Sequence, residues 1–156
     1  MNAYLRRIEN VNPLINAIVD VNKNALLEAE ALDKLIERHI KCEVCTNDES
    51  VENKPLLGIP VSIKDSIAVK GLLFTGGLYA RRNTIADQDS DVVTNIRKSG
   101  AIPIVITNVP DLLMWSDTNS VLVSETHNPY DLSKTPGGSS GGEGALIASA
   151  GSVIGI

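Results

Sequence analysis

The chain has 156 residues, 43% of them apolar, and a formal net charge of −5. That length fits one domain or part of one, and the acidic balance argues against a polyanion such as nucleic acid as the main partner. Aromatic residues make up only 3%, so a core has to be built from Leu, Ile, Val and Ala. The opening "MNAYLRRIEN" is charged and polar, unlike a signal peptide, and no stretch reads as a membrane span. Both favour an intracellular location and leave open an anchor upstream of Met1.

In chain order, "YLRRIENVN" places Leu5 and Ile8 on one helical face, and Pro13 is expected to stop the helix. "INAIVDVN" alternates, with Ile15, Ala17, Val19 and Val21 on one side, which predicts a strand. "KNALLEAEALDKLIERHIK" is the clearest helix, with Ala25, Ala29, Leu32 and Ile36 along one stripe. His39 in its last turn reads as a favourable C-terminal charge rather than a ligand. An acidic loop then carries Cys42 and Cys45. Zinc would need two more ligands, and a redox pair would open a helix after a strand, so two reduced loop thiols are the simpler expectation.

"LLGIPVSIKDSIAV" predicts a strand with Ile59, Val61 and Ile63 on one face and Pro60, Ser62 and Lys64 on the other. "GLLFTGGLYARRNT" reads as a surface loop. Ser90 or Asp91 is expected to cap a helix bearing Val92, Val93 and Ile96, which Gly100 ends. "AIPIVITN" is almost wholly apolar, as in a strand covered on both faces. Strand, helix, strand predicts a right-handed crossover and a parallel pair, hence an α/β fold. A short helix over "VPDLLMWSD", turns over "ETHNPYDLSK" and a small-residue helix over "EGALIASA" complete the reading. The run "SAGSVIGI" is apolar and strand-like, which suggests a fold that continues past Ile156.

The loop "TPGGSSGG", Thr135 to Gly142, admits several readings. As an anion site it lacks the lysine of a phosphate-binding loop, and Glu143 in that place would repel phosphate. As a nucleophile elbow, "GGSSG" fits G-x-S-x-G around Ser139, but no strand leads directly into it and no histidine follows. A serine–lysine system needs a neutral amine. Lysine's unperturbed pKa is near 10.4, desolvation lowers it, and a serine hydroxyl can donate one bond while accepting another. Lys64, pointing away from the isoleucine face, is the candidate base. A glycine-rich connection without chemistry weighs against all three.

The stretches "LLGIPVSIKDSI", "GAIPIVITNVPDLLMW", "HNPYDLSKTPGGSSGGEGALIASAGSVIGI" and, more weakly, "YLRRIENVNPLINAIV" decide between them. Together they resemble the amidase signature hydrolases, and within them the fatty-acid amide hydrolase branch of the second type. The resemblance implies a mixed sheet flanked by helices, longer than 156 residues, of which residues 1–156 would be the N-terminal part. It implies a Ser–cis-Ser–Lys triad, with Lys64 as base and Ser139, preceded by a cis peptide after Gly138, as relay. Gly138 and Ser140 would support them. The nucleophile belongs to a later motif, G-[ST]-D-I-G-G-S, expected just after Ile156, so the chain alone is expected to be inactive.

The resemblance also implies a small-molecule amide substrate, a lipid amide among them, with no cofactor and no metal. Leu113 and Met114, within the "LLMW" of Leu112–Trp115, match a segment near the acyl channel, although ordinary helix packing would explain each singly. Membrane association and homo-oligomer formation are left open for a full-length protein. One departure stands out: Ser124 and Glu125 occupy positions where relatives carry Gly-Arg or Gly-Gln, which bears on the local loop. His127 in the same turn reads as a surface residue. Two alternatives remain: a non-catalytic or partner-binding remnant, and an amidotransferase-type member of the same family.

Overall fold

The computed structural model describes residues 1–41 and 51–156; Cys42 and Cys45 lie outside the described residues. Helix α1 (Asn2–Ile15) turns Ile8, Val11 and Ile15 inward. It runs through Pro13, where a stop is expected from sequence. A proline this close to the end removes one intrahelical bond. Asn16, left-handed at φ 49°, closes the final turn by donating its N–H to the Asn12 carbonyl. Strand β1 (Ile18–Val21) is correspondingly shorter than the alternation suggests, because Ile15 is spent on the helix.

Helix α2 (Ala25–Ile40) lays its expected stripe inward: Ala25 is fully buried, and Ala29 and Leu32 pack on the same cluster. Strand β2 (Pro60–Lys64) and helix α3 (Asp91–Lys98) follow. Ser90 holds the cap position of α3, but its hydroxyl makes no capping bond. Asp91 in the first turn supplies negative charge there. Strand β3 (Ile102–Thr107) is buried along its whole length.

The expected helix at "VPDLLMWSD" is only a 3-10 turn, Asp111–Leu113, with Leu112 and Leu113 left-handed at φ 54° and 60°. That left-handed backbone stops a helical ladder from propagating, and the Leu112 N–H donates to the Gly76 carbonyl of a neighbouring loop. Strands β4 (Asn119–Ser120) and β5 (Ser124–Glu125) form a small antiparallel pair. Ser124 takes φ 75°, a backbone that glycine would reach without hindrance, and it still pairs with Ser120. Helix α4 (Gly141–Ala148) and strand β6 (Ile154–Gly155) complete the described chain.

Strands β2, β3 and β6 are parallel and β1 is antiparallel, in the order β1-β3-β2-β6. This is the mixed α/β sheet flanked by helices that the sequence predicts. One face packs Ile8, Val11, Ala25, Ile104 and Leu146 from α1, α2, β3 and α4. The other packs Val61, Ile63, Val69, Val93 and Ile106 around α3. Alternation along β2 therefore sends Val61 and Ile63 to the α3 side, and Ser62 and Lys64 to the α4 side.

Candidate active site

Lys64 is the last residue of β2, level with Thr107 at the end of β3. Carboxyl ends of parallel strands are where open α/β sheets gather ligands. Its side chain is half-buried, and its Nζ donates to Ser139 Oγ at 2.8 Å and to Ser140 Oγ at 2.7 Å. The structure thus brings together three residues singled out from sequence that are 75 and 76 positions apart along the chain. Burial moves the Lys64 amine below the usual lysine range, and the negative field of Glu143 partly opposes this.

The serines are held by packing on their backbone. The Gly138–Ser139 peptide bond is cis. A side chain at Gly138 would come within 2.8 Å of the Trp115 carbonyl oxygen and 2.9 Å of the Ser116 carbonyl carbon, so two stretches of main chain lie in contact there. Thr118 clamps the same loop from below. Its hydroxyl donates to the Gly137 carbonyl at 2.9 Å and accepts the Gly141 N–H at 3.0 Å. At Gly142 a Cβ would meet the Asn108 N and O at 2.5 Å. Ser140 sits at the cap of α4 without a capping bond, because its hydroxyl is engaged by Lys64 instead.

Beneath the lysine lies a buried polar cluster that sequence reasoning missed. Glu143, in the first turn of α4, accepts Ser62 Oγ–H at 2.5 Å and Thr107 Oγ1–H at 2.9 Å. Burial pushes its carboxyl above the ordinary range, while the two hydroxyls and Lys64 pull it back. Asp65, fully buried, accepts the Thr75 N–H at 2.7 Å and the Thr75 hydroxyl. Burial raises its carboxyl too, against the pull of those bonds and of the Gly76 and Gly77 amides. The only sequence signal for Glu143 is its position three residues past Ser140 on a helix that is otherwise small and apolar. Its partners come from two distant strands.

Met114 and Trp115 are 78% and 69% exposed. They line an open depression of about 370 Å³ together with Pro110, Asp111, Asn119, Ser120 and Val121. Leu113, paired with Met114 from sequence, is half-buried and does not line it; the left-handed turn at Leu112 and Leu113 separates the two neighbours. His127 is half-buried, and its backbone N–H donates to the Ile15 carbonyl. Among the described residues no group of three or more His, Cys, Asp or Glu is gathered as a metal would require, and no helix is long and apolar enough to cross a membrane.

Comparison with known proteins gives a consistent result. The amidase family profile matches residues 1–156. The chain is 42% identical over 157 residues to fatty-acid amide hydrolase 2-A of Danio rerio, covering all of this chain and 29% of that protein. It is 42% identical over 159 residues to human fatty-acid amide hydrolase 2, again over 100% of this chain and 29% of the relative. Among solved structures, a fatty acid amide hydrolase superposes with a TM-score of 0.87 at 29% identity, covering 99% of this chain and 26% of that one. The chain therefore spans less than a third of the length of these relatives.

Proposed function

Because the chain belongs to the amidase family, we propose that it carries the base and the proton relay of an amide hydrolase, and that the substrates of the full-length protein include fatty-acid amides. The observation that carries this reading is the contact of the Lys64 amine with the adjacent Ser139 and Ser140 hydroxyls at 2.8 and 2.7 Å. Burial lowers the proton affinity of this amine and so favours the neutral form that a base requires, and a hydroxyl beside it can pass a proton on.

In the proposed reaction, neutral Lys64 takes the Ser139 hydroxyl proton while Ser139 takes the proton of an attacking serine. The nucleophile's oxygen bonds to the amide carbon, and the carbonyl oxygen becomes an oxyanion. Collapse breaks the C–N bond, and the proton returns from Lys64 through Ser139 to the leaving nitrogen. Water then cleaves the acyl ester by the same relay. The family's nucleophile motif, G-[ST]-D-I-G-G-S, has no match within the 156 residues, so residues 1–156 are proposed as an inactive portion whose nucleophile lies in sequence beyond them. The sheet supports that order. β6 runs parallel to β2, the Ile156 carbonyl accepts the Lys64 N–H at 2.7 Å, and a segment leaving β6 would pass beside the amine.

The proposed acyl subsite is the depression at Met114 and Trp115, where the Trp115 carbonyl abuts Gly138. The similarity to two fatty-acid amide hydrolases supplies the substrate class. Covalent labelling of full-length protein by an alkyl fluorophosphonate tests the reading. Labelling at a serine past residue 156, lost in Lys64→Ala, is the expected result. Undiminished labelling and hydrolysis in Lys64→Ala would remove Lys64 from the mechanism.

A further inference from the structure

We propose that Glu143 is a positioning residue for Lys64: anchored on the two strands beneath the amine, its carboxylate supplies the negative charge that sets how firmly Lys64 keeps its proton. The inference rests on the reading of Lys64 as the base and deepens it. Glu143 is 7% exposed, and a carboxyl is costly to bury unless its oxygens are satisfied. Here each oxygen has its own donor. Ser62, two residues before Lys64 on the same face of β2, binds Oε2, and Thr107, the register partner of Lys64 on β3, binds Oε1. The carboxyl is thus fixed from the lysine's own strand and from the neighbouring strand β3. Gly155 of β6, opposite Ser62, makes room for it, since a Cβ there would fall on Oε2.

Glu143 does not compete with the serines for the amine. The hydrogen bonds of Lys64 Nζ go to Ser139 and Ser140, so the carboxylate acts through space. The cluster also tolerates a change of charge. Ser62 Oγ lies 3.3 Å from the Ile154 carbonyl oxygen, and Thr107 Oγ1 lies 3.4 Å from that of Ile63. Each hydroxyl therefore has a second acceptor if the carboxyl takes up a proton or is replaced. The amine and the carboxyl oppose each other's desolvation: burial favours the neutral form of both, and each one's charge favours the charged form of the other.

Competing charges are few. Asp65, just past the end of β2, is tied to the Thr75 loop. Strands β3 and β6 carry no charged residue, and Glu143 is the one charged residue of α4. On α1, which packs against α4, Arg7 donates to the Ser149 carbonyl beyond the far end of that helix, and Arg6 and Glu9 are exposed. Asp131 and Lys134 pair with each other ahead of the serine loop.

The test is competitive acetylation of full-length protein with acetic anhydride across pH, with Lys64 followed by peptide mass spectrometry. Glu143→Gln keeps the shape and can bond to both hydroxyls, but it removes the charge. The titration midpoint of Lys64 is expected to fall by about one unit, and the acid limb of amide hydrolysis to move with it, while thermal stability is retained. A midpoint that stays in place in folded Glu143→Gln overturns the inference, because a carboxyl that merely ties α4 to the sheet would leave Lys64 unmoved. Should that variant not fold, Glu143→Met carries the same expectation, its hydroxyl neighbours falling back on their carbonyls. If neither folds, Glu143 is structural and the inference falls. The base reading fails separately: wild-type Lys64 titrating near 10.4 like a solvated lysine would sink that reading, whereas a lowered wild-type midpoint indifferent to Glu143 sinks only this one.

Discussion

The lysine–serine cluster and the Met114 depression lie next to each other and are built in opposite ways. The first is framed by regular structure: strand register sets Lys64 beside Thr107, and α4 begins at the serines it presents. Its polar atoms are bonded to one another. The second is a left-handed turn and a loop whose largest apolar side chains stand in solvent. A site framed by register should respond sharply to single atoms, while one shaped by exposed side chains should respond by degrees.

The largest effect is expected at Lys64. In full-length protein, Lys64→Ala should lower kcat/KM for an amide by about 10²–10⁴-fold, the usual range for a positioned general base, without lowering the melting temperature. A loss under tenfold would place the site outside the sharp class. Next is Gly142→Ala, whose methyl would meet the Asn108 main chain at 2.5 Å. Overpacking against backbone costs about 1–3 kcal/mol, and denaturant unfolding should register it. Gly144→Ala, on the same helix and with open space around it, should cost nothing and serves as the control.

A smaller effect follows from the carboxyls. Glu143 has its proton affinity raised by the fold, so the native state binds more protons than the unfolded one between the ordinary carboxylate value and the raised one. Ionising Glu143 therefore costs stability. The cost is absent below about pH 4 and complete above the raised value. Glu143→Gln should gain stability relative to wild type as pH rises from 4 to 7, as measured by paired urea titrations; a constant difference would contradict the sign. The mildest change is Met114→Ser. It should alter stability by no more than about 0.5 kcal/mol and weaken KM for long-chain amides a few-fold more than for short ones. Equal effects on both would detach the depression from substrate.

The regular half of the molecule is also the half that could be read from sequence. The alternation in "IPVSIK" assigns Lys64 to the face opposite Ile63, and the apolar run "AIPIVIT" marks the buried strand beside it. Both depend on spacing within one element. The misreadings fall where a distant partner decides. Pro13 fails to end α1 because Asn16 can close the turn after it. The expected helix at Leu112 gives way to a left-handed turn whose Leu112 N–H binds the Gly76 carbonyl, 36 residues earlier in the chain. Leu113 and Met114 read as one apolar pair, yet a left-handed backbone divides them. Glu143 was legible only as an obstacle to phosphate, since its meaning depends on hydroxyls delivered by Ser62 and Thr107.

The seam at Gly138 has a mechanical consequence. There the serine loop touches Trp115 and Ser116 through main-chain atoms, so the span from the depression to the two hydroxyls works as a fixed gauge. Exchanging side chains along 115–117 can roughen or smooth the wall without changing that length. Only a Cβ at 138, or a residue added to or removed from the stretch, would reset it.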